Sequence, residues 1–173
     1  MSVAAVGIGS NLGDRFANLV AAAVGLGAES LLAGVSSAYE TAPVGGPEQG
    51  PFLNAVVIIE TARPAAALLQ SMLTIERARD RKRLVHWGPR SLDLDLLIFD
   101  SAKIDLPGLA VPHPRLLERR FVVEPLLEVW PEVALPDGTL VGSVEVEGAD
   151  PLGVYPFPAV PAPPEGGGSG ASR

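Results

Sequence analysis

The order in which strand-like and helix-like segments follow one another constrains this chain more than any single residue. Residues 3–8 form an apolar run that reads as a strand, closed by Gly9-Ser10-Asn11-Leu12-Gly13-Asp14. These small and capping residues suit a tight turn, with Asp14 as cap, into a helix over about 15–26. Residues 32–40 alternate weakly and predict a second strand, followed by a loop crowded with Pro43, Gly45, Gly46, Pro47, Gly50 and Pro51. Residues 52–60 are β-branched and apolar, a strand. Pro64 then opens a helix to about Arg79, with Leu68, Leu69, Met72, Leu73 and Ile75 as its buried stripe. Charge replaces apolar periodicity over 80–88, which predicts an exposed loop before a strand at 91–99. A short strand ends at Val111, 115–129 is helical in parts, and Pro136-Asp137-Gly138 is a turn before a last element around 140–146. Helices and strands alternate irregularly, and some connections are too short for helical crossovers. The expected fold is therefore an α+β sandwich rather than a doubly wound parallel sheet.

At 173 residues the chain is the size of one domain, expected over 1–149, and needs no disulfide or structural metal to bury a core. From Asp150 the composition turns to Pro, Gly, Ala and Ser, which predicts a disordered tail over 150–173. No apolar run is long enough to cross a bilayer, and residues 1–9 lack the basic flank of a signal peptide, so a cytoplasmic protein with no membrane partner is expected. The absence of cysteine removes thiolate metal sites and cysteine nucleophiles, and His86 and His113 alone do not make a multi-histidine metal site. The net charge of −7 argues against nucleic acid as a partner. Six of the 13 Lys and Arg residues nevertheless fall between Arg77 and Arg90, and Arg115, Arg119 and Arg120 form a second group. Two basic groups flanking an acidic pair suit a small polyanion.

That acidic pair lies in Gly88-Pro89-Arg90-Ser91-Leu92-Asp93-Leu94-Asp95-Leu96-Leu97-Ile98-Phe99. Residues two apart on a strand share a face, so Asp93 and Asp95 stand side by side while Leu92, Leu94 and Leu96 enter the core. Adjacent carboxylates repel unless a cation lies between them. Oxygen ligands without histidine or cysteine suit magnesium, which takes the rest of its shell from water and substrate phosphates. A bare Asp-x-Asp is more often an ordinary strand edge; Arg90 and the Arg81-Lys82-Arg83 loop, able to grip the same phosphates, argue for function. Gly7-Ile8-Gly9-Ser10-Asn11-Leu12 is a poor dinucleotide fingerprint, since Leu12 stands where the third glycine belongs. Asn54, in an otherwise apolar strand, needs polar partners that a heterocycle could supply. Phe52, Trp87 and Phe121 could stack on a flat ring, although each taken singly fits a core position.

The segments Gly9-Ser10-Asn11-Leu12-Gly13-Asp14, Thr41 with Pro43, Phe52-Leu53-Asn54-Ala55, Trp87-Gly88-Pro89-Arg90 with Leu92-Asp93-Leu94-Asp95, and Pro112-His113-Pro114 followed by Arg119 and Phe121 together resemble one family, the hydroxymethyldihydropterin pyrophosphokinases of folate synthesis. The resemblance runs over about 3–138. It implies a ferredoxin-like α+β sandwich with a mainly antiparallel central sheet, and transfer of diphosphate from ATP to a pterin alcohol with release of AMP. It further implies that Asp93 and Asp95 bind two magnesium ions, and that Thr41, Val44, Phe52, Asn54, Trp87 and Phe121 line a pterin site. Glu76, Arg83, Arg90, Leu96, His113 and Arg119 would hold ATP, with Arg81 and Arg90 acting in the chemical step. The chain departs from the family pattern at Leu73, Asp80 and His86. A monomer acting on small molecules is expected. The alternative is a noncatalytic nucleotide- or RNA-binding module of ferredoxin-like fold, against which stand the acidic charge and the lack of an aromatic RNA-binding motif on a strand.

Overall fold

The structure, a computed structural model, describes residues 1–79 and 91–162. Its centre is a six-stranded sheet built from β1 (Ser2–Ser10), β2 (Leu31–Val35), β3 (Ala38–Thr41), β4 (Phe52–Thr61), β5 (Asp93–Phe99) and β8 (Gly153–Tyr155). The order across the sheet is β5-β1-β4-β3-β8, with β2 also on β4, and every pairing is antiparallel. Helices α1 (Arg15–Gly27) and α2 (Ala65–Ala78) each cross between strands that have one other strand between them. That skip is how helical crossovers coexist with an antiparallel sheet, the β-α-β-β-α-β pattern expected of a ferredoxin-like sandwich. A separate hairpin, β6 (Ile104–Leu106) and β7 (Leu109–Val111), flanks β5, and α3 (Arg120–Val129) follows a single 3-10 turn at Leu116–Glu118.

Both faces of the sheet are covered. Ala4, Val6 and Ile8 of β1, Leu53, Val57 and Ile59 of β4, and Leu92, Leu94 and Leu96 pack on one side against Leu19, Ala22, Ala23 and Leu26 of α1 and Leu68 and Met72 of α2. Ala5, Val56, Ile58, Leu97 and Ile98 pack on the other against Val122, Val123 and Leu126 of α3. Burying each of the larger side chains contributes about 1.5–3 kcal/mol. The α2 stripe falls where its periodicity predicts, except that Leu69, Leu73 and Ile75 are only half-buried while Glu76 is fully buried. Alternation on β5 breaks after Leu96, where its pairing with β1 slips between Ala5 and Val6. The bulge turns Leu97 and Ile98 to the same face, so an apolar run that looks continuous in sequence serves both cores.

The strand expected over 32–40 is interrupted. Val56 N–H donates to Ser36 Oγ (2.9 Å) while Ser36 N–H donates to the Val56 carbonyl (2.9 Å), so the hydroxyl substitutes for a backbone acceptor and splits β2 from β3. Glu128 of α3 bridges the break, accepting from Ser37 N–H (2.8 Å), Ser37 Oγ (2.9 Å) and Tyr39 Oη (2.8 Å). Only Gly13 (φ +65°) of the glycine segment serves the β1–α1 turn, with Asp14 Oδ1 capping α1 through Ala17 N–H (3.0 Å); Gly7 and Gly9 lie within β1 instead. The last element expected around 140–146 is a 3-10 turn at Val141–Ser143, and the chain goes on.

The tail expected from Asp150 is corrected over 150–162. Gly153–Tyr155 forms β8 on the edge of β3, and Phe157 and Val160 pack against the α1/α2 core. Composition misses this because a sheet edge supplies the backbone partners that the segment's own sequence cannot. Residues 163–173 lie outside the described residues. No helix among the described residues is long and apolar enough to cross a membrane.

Burial, and then the Glu128 carboxylate that accepts its hydroxyl, push the Tyr39 phenol up to about 12. The neutral phenol is favoured in the fold, so its stabilisation is complete below the ordinary value of 10 and lost as pH rises from there through about 12. Spectrophotometric titration should therefore find one of the two tyrosines ionising near pH 12, and Glu128→Gln should lower that midpoint.

Candidate active site

Helix α3 covers only one end of the sheet's second face, and the site lies on the uncovered end. There a cavity of about 560 Å³ has its floor on β1, β4 and β5. Gly7 and Gly9 of β1 stand in register with Asp95 and Asp93, and Gly9 pairs on its other side with Asn54. The glycines keep the floor low: a Cβ at Gly9 would stand 3.0 Å from Asn54 Oδ1, tighter than nearly all real contacts, and one at Gly7 would meet Leu97 at 3.4 Å. Asn54 is 8% exposed, and its Nδ2 donates to Thr41 Oγ1 at 2.7 Å, tying the ends of β4 and β3 together. Thr41, Phe52, Asn54 and Phe121 line the cavity, and Val44, 63% exposed, stands at its rim. The loop between β3 and β4 is anchored from the β1–α1 turn, where Asn11 Nδ2 donates to Gln49 Oε1 (2.9 Å) and the Gly50 carbonyl (3.3 Å).

Asp93 and Asp95 are half-buried on the cavity face, with Leu92, Leu94 and Leu96 on the core face, as the alternation predicts. Among the described residues β5 is the sheet's outer strand on this side, and its backbone takes partners from outside the sheet. Glu76, 2% exposed, reaches over from α2 and accepts the N–H of Leu94, between the two aspartates, at 2.9 Å. The backbone N–H of His113 donates to the Leu97 carbonyl at 2.8 Å. Arg119, at the start of α3, places Nη1 3.4 Å from Asp95 Oδ2 and its guanidinium carbon 5.9 Å from the centre of the Phe121 ring.

His113 follows the cis Val111–Pro112 bond, with Nε2 4.0 Å from Asp95 Oδ2. Burial lowers its pKa below the ordinary 6.5 and the Arg119 and Arg115 charges act in the same direction, while Asp95 and Asp93 oppose them. Its Nδ1 accepts the Arg115 N–H at 3.1 Å, so the neutral ring carries its proton on Nε2, toward Asp95. His113 and Leu96 line a second cavity of about 320 Å³ between β5 and the β6–β7 hairpin, and Asp95 lines both cavities.

Of the residues expected at the site, Thr41, Val44, Phe52, Asn54, Asp93, Asp95, Arg119 and Phe121 meet at the first cavity, and Leu96 and His113 at the second. Glu76 lines neither and instead holds the strand between the aspartates from behind. Arg81, Arg83, Trp87 and Arg90, with the departures at Asp80 and His86, lie outside the described residues. Sequence reasoning missed the glycine floor, whose signal was the i, i+2 spacing of Gly7 and Gly9 on one strand face. It also missed the hairpin wall at Leu106 and Leu109 and the stretch from Glu147 to Asp150 along the first cavity, neither of which has a motif.

Two oxygen-ligand carboxylates on one face, beside an imidazole whose nearer nitrogen bears a proton, fit a hard divalent cation that draws its other ligands from water and phosphate. Among the described residues no group of three or more His, Cys, Asp and Glu side chains forms a closed metal cage.

A family model described as 7,8-dihydro-6-hydroxymethylpterin-pyrophosphokinase (HPPK) matches residues 5–131. The chain belongs to this family. It is 42% identical over 134 residues to the 2-amino-4-hydroxy-6-hydroxymethyldihydropteridine pyrophosphokinase of Bacillus subtilis, covering 76% of this chain and 80% of the relative. The protein of the same name from Pseudomonas aeruginosa is 39% identical over 135 residues, covering 77% and 83%. Among solved structures, a Plasmodium falciparum HPPK-DHPS with pteroate superposes with a TM-score of 0.63 at 14% identity, over 83% of this chain and 41% of that one. An HPPK-DHPS in complex with substrates superposes with a TM-score of 0.65 at 12% identity, over 83% and 42%. At these identities the likeness is one of fold, and this chain spans about two fifths of those longer chains. The HPPK fold expected from sequence is the one found.

Imidazole nitrogen shifts should show His113 protonated on Nε2 and unprotonated on Nδ1 at pH 7, with a midpoint below 6.5. A midpoint at or above 6.5 would mean that Asp95 outweighs burial.

Proposed function

We propose that this HPPK transfers diphosphate from ATP to the hydroxymethyl group of 6-hydroxymethyl-7,8-dihydropterin and releases AMP. The observation that carries the reading is the meeting of two cavities at Asp95, one floored by the Asn54–Thr41 pair and flanked by Phe52 and Phe121, the other beside Leu96 and His113. In this reading a flat heterocycle lies over Gly9, with its polar edge toward Asn54 and Thr41 and its alcohol toward β5. Nucleotide occupies the second cavity, so its phosphates pass Asp95. The alcohol oxygen bonds to the β-phosphorus and releases its proton to solvent water as the bond from that phosphorus to the α-β bridging oxygen breaks, and AMP leaves with the bridging oxygen.

Asp93 and Asp95 would hold two magnesium ions, which when bound neutralise phosphate charge and hold the reacting groups in line. Arg119 shares Asp95 and can exchange that contact for a phosphate oxygen, which its planar guanidinium can grip with two donors. His113 offers its Nε2–H as a neutral donor beside the same path. Glu76 acts from behind through Leu94. Arg83 and Arg90 complete the ATP contacts, Trp87 the pterin stack, and Arg81 joins Arg90 in the transfer, on the family likeness alone. No strong base is required, since position and field supply most of the stabilisation in such transfers. We further place the reaction in the cytoplasm, carried out by a monomer that engages neither membrane nor nucleic acid. The net charge of −7 supports this last point.

Incubation with ATP, Mg²⁺ and the pterin alcohol should yield AMP and the pterin diphosphate in equal amounts; ADP as the nucleotide product would refute the reading. Asp95→Ala should lower kcat by about a hundredfold or more, with the far-UV circular dichroism of the parent retained.

A further inference from the structure

Beyond residues 5–131, where the family match ends, the chain does more than extend the sheet. On leaving the turn at Val141–Ser143 it passes the start of α3, skirts the first cavity and joins the edge of β3 as β8. Arg120, the first residue of α3, holds it there: Nη1 lies 3.2 Å from the Gly148 carbonyl and 2.8 Å from Asp150 Oδ1, while Nε donates to Glu124 Oε1 at 2.6 Å. Gly148 is required at this crossing. Its φ is +153°, and a Cβ would stand 2.9 Å from Arg120 Cβ. Leu152 N–H then donates to the Glu40 carbonyl (2.7 Å), and Tyr155 Oη to Glu40 Oε2 (3.2 Å), before Tyr155 meets the edge of Phe16 with ring centres 6.0 Å apart. The segment is thus pinned by Arg120 at Gly148 and Asp150 and by Glu40 at Leu152, with Glu147 to Asp150 lining the cavity.

Its position across the sheet is specific. The order β5-β1-β4-β3 places Asp93 and Asp95 at one side of the floor and the β3 edge at the other, about 14 Å away at three strand spacings. A heterocycle whose alcohol reaches toward the aspartates, with its polar edge on Asn54 and Thr41, extends toward the β3 edge, and Glu147 to Asp150 line the cavity between the start of α3 and that edge. We infer that the segment from Glu147 to Asp150, held by Arg120, is a specificity wall that limits the size of the heterocycle at the end remote from the reacting alcohol. Arg120 is a positioning residue: it holds the wall and touches no reacting atom. The inference rests on the proposed reaction for the identity of the heterocycle, and on the fold alone for the wall.

The test compares the pterin alcohol with its N2-methyl derivative, which is enlarged at the remote end. Arg120→Met and Asp150→Ala should each raise kcat/KM for the methylated relative to the parent substrate by about tenfold, the scale of one methyl group in a closed pocket, with the KM for ATP within twofold of wild type. Asp150 is 85% exposed, so its variant keeps the comparison available if Arg120→Met misfolds. Hydrogen exchange on the wild-type protein should show amides of 147–155 protected by the unmodified pterin alcohol. An unchanged substrate ratio in both variants, a matching rise in the KM for ATP, or no added protection would each overturn the wall. Failure of the wild type to form AMP would instead strike the proposed reaction, leaving hydrogen exchange to judge the wall.

Discussion

The packing of α3 against the sheet's second face is the contact on which the site depends. Val122, Val123 and Leu126 cover Val56, Ile58, Leu97 and Ile98 and stop there, because the helix begins only at Arg120. One end of a sheet otherwise buried on both faces is left bare, and its residues change character at that line. Beyond Val56 and Leu97 the same face carries Asn54, Asp95, Asp93 and two glycines. Apolar side chains there would have drawn a covering element, and larger ones than glycine would have filled the floor. The cavity follows from where a helix starts.

Charge at the site is held by the same economy of position. Asp95 faces Arg119 on one side and a neutral, largely buried imidazole on the other, so its carboxylate is partly compensated without being enclosed. Glu76 supplies an edge strand with the acceptor that a neighbouring strand would otherwise give, and does so between the two aspartates. A buried carboxylate that satisfies a backbone N–H resists displacement, since leaving that donor unpaired costs about 1–3 kcal/mol. The aspartates are thereby presented on a rigid edge.

Much of this was legible beforehand. Alternation placed Asp93 and Asp95 together and their leucines in the core, because side-chain direction on a strand follows from local backbone geometry. Asp14 as a cap and the α2 stripe were readable for the same reason. The split at Ser36 was not: a serine that accepts from its own strand partner resembles any other serine until that partner is in place. Nor was the role of Glu76, since a lone acidic residue near a helix end ordinarily faces solvent.

The sequence by itself determined the two long helices, the strands at 3–8, 52–60 and 91–99, the acidic pair and the family likeness, each carried by residues close together in the chain or by motifs in a characteristic order. Tertiary structure alone decided that Gly7 and Gly9 form a floor, that Asp95 is common to two cavities, and that 153–155 is a strand. These properties belong to pairs such as Gly9 with Asn54, or Gly148 with Arg120, which are far apart in sequence. What brings them together is the order of strands across the sheet, and no local pattern records that order.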